Sequence, residues 1–482
     1  MSAKQKLFRL LLSASIGFSA CGSLPASAQF MSKSQELALG AEEHPKIIKQ
    51  YGGVYDEPQV SGYVAAIGGR IVANSEIPGL RFHFTVLDSP IVNAFALPGG
   101  YVYVTRGLIA LANSEAELAS VLAHEVGHVA ARHTVQRYNR GMGMAIGGAL
   151  LGALIGNQIV NDLVQQGGQL YLLSYSRKQE YEADQLGVRY LVRAGYDPYA
   201  EADFLRSMEA QDVLETALNG DKNNRPSEFL ATHPVTAKRV VEAIDSARKS
   251  GVPVETRPRL RDEFLNSIEG MVYGGSPEQG YVRDRSFVHP KLRFAFTVPP
   301  GFRITDGPEA IVATGPEEIK IKFDIAPLRQ PTSMPAYLTT VWANDVSLRN
   351  PEGLTINGMQ AATAETVVTA GAGRAVVRLI AIDFAPDRVA RIIIVTPNQP
   401  GAGMRAELQR FTYSFHALSP EEAARARPHR IRSIPVRSGE TIASIAARMP
   451  FADYREPRFR TLNGLRENDV LTPGTRIKVV AE

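Results

Sequence analysis

The sequence predicts an α+β protein: a mainly helical region with a small sheet, then a strand-rich α+β region, and finally a small third module. Its 482 residues exceed one ordinary core, since domains average roughly 100 to 200 residues. Helical periodicity dominates the first part of the chain, and alternation of apolar and polar residues dominates the second. We therefore expect folded regions at residues 29–275, 285–418 and 433–480.

The composition is that of a globular protein rather than of a nucleic-acid-binding or polytopic membrane protein. Hydrophobic residues make up 44% of the chain and charged residues 21%, and the net charge is only +4. So dilute an excess of Lys and Arg does not supply the clustered basic face that nucleic-acid binding needs. Cys21 is the only cysteine, which excludes an intramolecular disulfide and a thiolate zinc cluster.

The amino end has the layout of a secretory signal peptide, in which basic residues precede an apolar stretch, here at residues 10–20. An A-x-A site at residues 26–28 predicts a signal peptide of residues 1–28. An imperfect lipobox ending at Cys21 predicts a shorter signal, residues 1–20, and a lipid anchor. We expect an exported protein, in the periplasm or, if Cys21 is lipidated, at the outer membrane.

A compact strand region interrupts the first, mainly helical region. Residues 81–87 alternate apolar and polar side chains, and residues 93–97 lead through Pro98-Gly99-Gly100 into an apolar run at residues 101–104. We expect three short strands here.

The next helix carries a pair of histidines. Ser114 and Glu117 form a capping-box pattern that predicts its start, and apolar residues then recur with helical spacing. His124 and His128 are four residues apart, so their imidazoles share one face and can take two corners of a zinc tetrahedron. With Glu125 they form the HExxH pattern, in which zinc lowers the pKa of a bound water to about 7 and the glutamate accepts its proton. The alternative is a helix that carries two histidines by chance.

A third metal ligand is expected from another helix. Glu180 and Asp184 are one helical turn apart and share a face, whereas Glu182 points away and is expected to be a solvated surface group. We predict that Glu180 binds the zinc ion and that Asp184 accepts a hydrogen bond from the second nitrogen of a ligand imidazole. The alternative for Asp184 is a surface salt bridge.

The other histidines do not fit the ligand spacing. His133 lies on the opposite side of the helix from His124, so we expect it to be structural. Surface or packing roles are expected for His44, His83, His289, His416 and His429.

Two further segments allow more than one interpretation. Residues 141–161 have no charged side chain, but their apolar stretch falls short of the roughly 20 residues needed to cross a bilayer. We favour a lid near the active site over a loop that touches the membrane. The arginines between Arg425 and Arg432 predict a solvated linker, with contact to an anionic lipid or wall polymer as the alternative.

Across residues 31–250 the chain resembles the HtpX-like and BepA-like zinc metallopeptidases, relatives of the CAAX prenyl proteases. The resemblance rests on the HEVGH helix, on the block from Ser176 to Asp184, and on Thr232-His233-Pro234 followed by Arg239. It implies a gluzincin fold, one Zn²⁺ ion per chain, and endopeptidase activity in envelope protein quality control.

The same resemblance implies further site residues. It places His233 near the metal, where it either stabilises the oxyanion or caps the zinc ion in a latent state, with Arg239 supporting it. The alternative for His233 is an ordinary loop histidine. The resemblance also implies an edge strand that binds extended substrate by strand addition, with plain core sheet as the alternative, at Asn93, Ala94, Phe95 and Ala96.

The carboxyl end, residues 433–480, resembles a LysM module through Val436 to Ala446, Leu462-Asn463-Gly464-Leu465, and Leu471 to Ile477. This resemblance implies a small βααβ module. Such modules bind the glycan chains of peptidoglycan, although the stretch between these motifs is unusual and leaves open whether glycan binding is retained. Residues 285–418 resemble no family, and they show no helical repeat array of the BepA-like kind.

Together these patterns predict a zinc-dependent endopeptidase of the bacterial cell envelope that degrades misfolded or unassembled envelope proteins. Its expected partners are protein or peptide substrates, peptidoglycan through residues 433–480, and the outer-membrane assembly machinery. A non-catalytic peptidoglycan-binding scaffold and a metal-dependent hydrolase of wall peptides are the alternatives. The intact Glu125 argues against the scaffold.

Overall fold

The computed structural model describes residues 31–140, 174–219, 228–306, 310–330, 332–370, 373–397 and 400–482. The expected signal peptide and the segment at residues 141–161 lie outside these ranges. No helix within them is long and apolar enough to span a bilayer. The described chain mixes helices and strands, as the sequence predicts.

Helices and a small sheet open the described chain. Ser32 caps helix α1 (Lys33–Gln50), and helix α2 (Pro58–Ala73) follows. The expected strands are present as β1 (His83–Leu87), β2 (Ala94–Leu97) and β3 (Tyr101–Thr105). Their order is β1-β3-β2, with β1 parallel and β2 antiparallel to β3. Strand β2 therefore lies at an edge of the sheet.

The turn between β2 and β3 requires glycine. Gly99 and Gly100 have φ angles of +86° and +88°, and a Cβ atom on Gly100 would lie 2.5 Å from the carbonyl oxygen of Arg81. Only a residue without a Cβ atom fits this position without a shift of the backbone. The turn brings β2 alongside the helix that carries the HExxH motif.

That helix is the most buried helix of the first region. After α3 (Arg106–Leu111), helix α4 (Glu115–Ala130) runs through the core with nearly every side chain buried. The chain turns at Arg132, whose φ is +57°, into helix α5 (residues 133–140). The elements that follow are α6 (Arg177–Ala194), α7 (Ala200–Asn219), α8 (Glu228–Thr232), α9 (Ala237–Lys249), α10 (Arg261–Ser267) and the short strand β4 (Val272–Tyr273).

The start of α4 differs in one detail from the capping box that the sequence predicts. The Ser114 hydroxyl accepts a hydrogen bond from the backbone N–H of Glu117 at 3.2 Å, as expected. The Glu117 carboxylate instead accepts from the backbone N–H of Asn113 at 2.9 Å, one residue before the predicted donor. This bond fastens the loop before α4 to the first turn of the helix.

The strand-rich region has its own core. Its first strands are β5 (Tyr281–Arg283), β6 (Ser286–His289), β7 (Phe294–Thr297), β8 (Arg303–Asp306), β9 (Ile311–Thr314) and β10 (Lys320–Pro327). After a short helix over residues 334–342 come β11 (Arg349–Ile356), β12 (Met359–Ala370), β13 (Gly373–Ala385), β14 (Arg388–Thr396), helix α11 (Ala402–Ser414) and β15 (His416–Ala417).

These strands form antiparallel sheets with the orders β15-β7-β6-β5 and β11-β12-β13-β14-β10-β9-β8. Side chains of the smaller sheet, such as Phe294 and Phe296, pack with Phe411 of α11 against one face of the larger sheet. The 334–342 helix, which contains Trp342, packs against the other face. The larger sheet is thus covered on both sides.

The carboxyl-terminal module has the expected βααβ order, but it begins earlier than expected. After helix α12 (Pro420–Arg425), it consists of β16 (His429–Pro435), α13 (Ile442–Ala446), α14 (Arg455–Asn463) and β17 (Arg476–Ala481). Strand β16 pairs antiparallel with β17 on one side and with β4 on the other. The last part of the expected basic linker is therefore a strand, in which Arg430 donates to the carbonyl of Gly270 at 2.6 Å.

Candidate metal centre

Helices α4 and α6 cross closely and bring the predicted ligands together. A Cβ atom on Gly127 of α4 would lie 3.1 Å from the carbonyl oxygen of Ala183, so glycine at this position permits the close approach. His128 Nε2 lies 3.0 Å from His124 Nε2 and 3.3 Å from Glu180 Oε1. Residues far apart in the sequence thus present two nitrogens and one carboxylate at a single point.

The donor set fits one zinc ion. Ligand atoms of His124, His128, Glu180 and His233 all lie within 4.8 Å of one another, and all four side chains are buried. Imidazole nitrogen and carboxylate oxygen are donors that zinc accepts in tetrahedral sites. We therefore take these residues as the site that would hold the metal implied by the HExxH motif.

The protonation of the ligands also suits a metal. Burial lowers the pKa of His128 well below its usual value, so its imidazole is neutral and has a lone pair to offer. Burial alone would raise the pKa of Glu180, but His233 and Arg239 outweigh this effect and hold that pKa well below its usual value. Glu180 is therefore an ionised carboxylate inside the protein.

Asp184 orients one ligand imidazole and is itself held by Arg239. Its Oδ1 atom lies 2.9 Å from His124 Nδ1, the nitrogen that faces away from the other ligands. The Arg239 guanidinium donates to both Asp184 oxygens, at 2.6 and 2.8 Å, and its Nη1 lies 2.6 Å from Glu180 Oε2. One buried arginine thus pairs with two buried carboxylates, which is the arrangement that makes buried charges tolerable.

Glu201, on α7, completes this network and has no signature in the sequence. It is buried, and its carboxylate can reach the same point as His124 and Asp184. Burial and the negative charge of Asp184 raise the pKa of Glu201 well above its usual value. A protonated carboxyl group is a poor metal ligand, so we interpret Glu201 as a neutral neighbour of Asp184.

Glu125 lies beside the ligands without belonging to them. Its side chain is fully buried, and its carboxylate oxygens have no hydrogen-bond partner among the described residues. Burial raises the pKa of Glu125 to about 7, an effect that the charges of His124 and Arg137 partly offset. A carboxylate with this pKa can accept and return a proton near neutral pH.

His233 lies between Glu125 and Glu180. Its Nδ1 atom is 3.1 Å from Glu180 Oε1 and 3.3 Å from His124 Nε2, while its Nε2 atom is 3.5 Å from Glu125 Oε1. The Phe229 ring stacks on the imidazole, and burial lowers the pKa of His233. The structure therefore places this histidine within reach of both the metal position and the base, as the family resemblance implies.

Three further side chains lie at the site although they belong to no sequence motif. The Tyr175 ring stacks on His128 at 3.7 Å, and the Arg137 guanidinium lies 4.0 Å from the Tyr175 ring centroid. His133 Nδ1 is 3.0 Å from His128 Nδ1, and its Nε2 lies 3.4 Å from the half-exposed Glu182. His133 is outside the ligand group, but the expectation that it lies on the opposite side of the same helix is wrong: α4 ends at Ala130, and the turn at Arg132 brings the His133 ring against His128. No motif identified Tyr175 and Arg137 in the sequence, because the folding of the chain, and not helical spacing, brings them to the site.

The expected substrate strand lies at the edge of its sheet but is covered in this structure. Ala94, Phe95 and Ala96 are buried, and the Ala96 carbonyl accepts a hydrogen bond from Arg137 at 3.4 Å. The Asn93 amide donates to the Tyr51 hydroxyl at 3.3 Å. Substrate addition along β2 therefore remains a proposal that requires Arg137 to move.

Comparison with known proteins matches two parts of the chain to known families. Residues 58–247 match the model of Peptidase family M48, and residues 435–480 match the LysM domain. The resemblance to HtpX-like and BepA-like metallopeptidases with a LysM-like module is thereby confirmed. The matched relatives include metalloendopeptidases, so the first region is similar to a metallopeptidase domain.

Individual relatives match only part of the chain. The Beta-barrel assembly-enhancing protease of Yersinia pestis is 30% identical over 228 residues, 45% of this chain and 45% of that protein. The Mitochondrial metalloendopeptidase OMA1 of Arabidopsis thaliana is 36% identical over 212 residues, covering 43% and 40%. The protein of that name from Schizosaccharomyces pombe is 29% identical over 209 residues, covering 42% and 59%. The chain thus spans less than two thirds of each of these relatives.

Proposed function

We propose that this protein is a zinc-dependent endopeptidase of the bacterial cell envelope that degrades misfolded or unassembled envelope proteins. The observation that carries the proposal is the convergence of His124, His128 and Glu180 at one buried point, with the Glu125 carboxyl group beside it. The match to the M48 family and the similarity to bacterial proteins named Beta-barrel assembly-enhancing protease support it.

Each residue has a separate task in this mechanism. His124, His128 and Glu180 would hold the zinc ion, which when bound polarises a substrate carbonyl and lowers the pKa of a bound water. Glu125 accepts the proton of the attacking water and returns it to the leaving amine. His233 donates a hydrogen bond to the oxyanion that develops on the substrate, or caps the site in a latent state.

The supporting residues keep these groups in place. Asp184 fixes the tautomer of His124 by accepting from Nδ1, and Arg239 neutralises Asp184 and Glu180. An extended substrate would lie along Asn93 to Ala96 of β2, where recognition depends on the backbone more than on side chains. Unfolded envelope proteins offer such segments. The outer-membrane assembly machinery is the proposed setting, because several bacterial relatives are named as β-barrel assembly-enhancing proteases.

Zinc content and casein cleavage of the mature chain test the proposal, with Glu125→Gln as the variant and Glu209→Gln, an exposed carboxylate on α7, as the control. We expect one zinc ion per chain in all three proteins. Loss of the base should reduce cleavage by about 10²- to 10⁴-fold in Glu125→Gln, while the control cleaves normally. A wild-type chain that binds no zinc would refute the proposal and favour the scaffold alternative.

Hydrolysis of wall peptides is the second candidate, favoured by the LysM match at residues 435–480. Such modules bind peptidoglycan and would deliver a hydrolase to it. Purified peptidoglycan as the substrate in the same assay separates the two functions. If the protein released wall peptides but did not cleave casein, we would assign it wall peptides as substrates in place of proteins.

A further inference from the structure

The carboxyl-terminal module shares a sheet with the first, M48-like region of the chain, the peptidase region. Strand β4 closes the first region, and β16 opens the module, yet they pair through His429 with Tyr273 and Arg430 with Val272. After β4, Gly274, Ser276 and Gln279 still bond to Arg106 and Asp88 of the first region. The chain then leaves this region at β5 and returns to it at β16. If the regions were independent domains joined by flexible linkers, strands would pair only within each domain.

A buried lysine joins the module to the peptidase region. Lys478 of β17 has no exposed surface, and its ammonium group donates to the carbonyls of Ala110 at 2.6 Å, Leu111 at 3.4 Å, and Ala112. These carbonyls lie at the carboxyl end of α3, where the last groups of a helix lack partners within it and favour a cation. The module thus supplies the cap for a helix of the first region.

The same interface reaches the metal-binding helix. The loop from Ala112 to Ser114 connects α3 to α4, and the Glu117 carboxylate accepts from Asn113 in that loop. Arg261 bridges the two parts by donating to the carbonyls of Asn113 and Arg476. Burial and the nearby Arg261 lower the pKa of Lys478 well below its usual value, and Glu117 only partly opposes this shift. Hydrogen bonds to backbone carbonyls, rather than an ion pair with Glu117, therefore hold Lys478 in the interface.

Apolar packing continues across the interface. Phe459, Leu462 and Ile477 of the module are buried in the same cluster as Leu108 of α3 and Leu118 of α4. The strand-rich region instead has separate clusters, built from its own sheets and helices. The module therefore packs with the peptidase region rather than with its neighbour in the sequence.

We propose that the carboxyl-terminal module is a built-in part of the peptidase region, joined through Lys478 to the segment that begins the metal-binding helix, and that residues 281–428 are a domain inserted into this unit. The module then holds any ligand it binds at a fixed position relative to the metal centre. The inference concerns folding, so it does not depend on the proposed function being correct.

Native-state hydrogen exchange of the full chain, followed by mass spectrometry in low denaturant, tests the unit directly. We expect the most protected amides of α4, β16 and β17 to open with one common free energy, because they belong to one cooperative unit. If the amides of β16 and β17 opened at lower free energy while α4 stayed protected, the module would be an independent domain and the proposal would be wrong.

Lys478→Met sharpens the test, with Arg437→Met, an exposed arginine of the module, as the control. Loss of the ammonium leaves three carbonyls of the α3 end without their donor, so amide protection in α4 should fall about tenfold or more. The fluorescence transition of Trp342, the chain's only tryptophan, should not move, because it reports the inserted domain. Protection that fell only in β16 and β17, or in no element, would contradict the proposal. If Lys478→Met does not fold, the exchange data on the unmodified chain still decide it.

Discussion

The metal centre and the strand-rich region are both buried, but they are built from opposite chemistry. At the metal centre Glu180, Asp184 and Arg239 are buried together and neutralise one another. In the strand-rich region the interior is a cluster of aromatic rings, among them Phe296 and Phe323, whose centroids are 4.9 Å apart. Charges out of water need partners at fixed distances, whereas apolar rings need only a neighbour of the right size.

This difference indicates which substitutions should destabilise the protein most. Removing one partner from a buried charge network leaves another charge without compensation, so the cost is large and the site loses its geometry. An ion pair with one member near the surface is screened by water and contributes little. The two regions can be compared in one chain, because Trp342 reports only the strand-rich region while release of a metal ion would report the candidate metal centre.

The largest difference is expected from removing one arginine in each region. Arg239→Met leaves Glu180 and Asp184 buried without their cation, and should lower the free energy of unfolding of the peptidase region by about 3–5 kcal/mol. The matched variant is Arg378→Met, since Arg378 pairs with Glu365 and both side chains are partly exposed. It should change the Trp342 transition by about 0–1 kcal/mol. Urea unfolding with both readouts checks this, and equal effects would remove the contrast between the regions.

A smaller effect is expected from Asp184→Asn, which keeps the size of the side chain but removes its charge. The neutral amide holds His124 and Arg239 less firmly, so zinc affinity should fall by about 10- to 100-fold. Competition with a chromophoric chelator measures it. The control is Asp245→Asn, because Asp245 pairs with Arg248 on the exposed side of α9. Unchanged zinc affinity in Asp184→Asn would show that the second nitrogen of His124 needs no charged acceptor.

The strand-rich region should show its own dependence on pH. Burial lowers the pKa of His289 to about 4, from 6.5, and the ring lies among Phe287 and Phe294. Between these values the unfolded chain binds more protons than the folded one, so the free energy of unfolding falls as pH falls from 6.5 towards 4. We expect a loss of about 1–2 kcal/mol from pH 7 to pH 5 in the Trp342 transition. His289→Gln should flatten this slope, and a slope unchanged by the variant would assign it to other groups.

The sequence revealed those parts of the metal centre that depend on helical spacing. His124, His128, Glu180 and Asp184 follow from side chains one turn apart on two helices, and the structure brings all four together. Glu201, Tyr175 and Arg137 reach the site through the packing of helices and the chain before α6, and no spacing along the sequence encodes that packing. The edge position of β2 follows the resemblance, but its cover by Arg137 depends on the turn at Arg132.

The order of the strands in the sheets could not be predicted from the sequence as well as the metal centre could. Alternation predicts strands in the second region, but it does not reveal that β14 lies between β13 and β10, because that order depends on contacts distant in the sequence. The arginines from Arg425 to Arg432 predicted a linker because charge favours solvent. Strand β16 nevertheless begins at His429, since Arg430 and Arg432 find partners at Gly270 and Glu269. Pairing between β16 and β4 is a tertiary interaction that local patterns do not contain.

The smallest expected effects come from helix caps, and they test whether the two regions unfold separately. The Ser114 hydroxyl caps α4, and the Ser333 hydroxyl caps the 334–342 helix by accepting from Ala336 at 3.4 Å. Loss of a cap typically costs about 1 kcal/mol, and less where the bond is long and exposed. Ser114→Ala should therefore destabilise the peptidase region by about 1 kcal/mol and leave the Trp342 transition in place. Ser333→Ala should do the reverse, with the smaller shift. If each variant moved both transitions equally, the two regions would unfold together. The stability of the charged centre and that of the aromatic core could then not be measured separately.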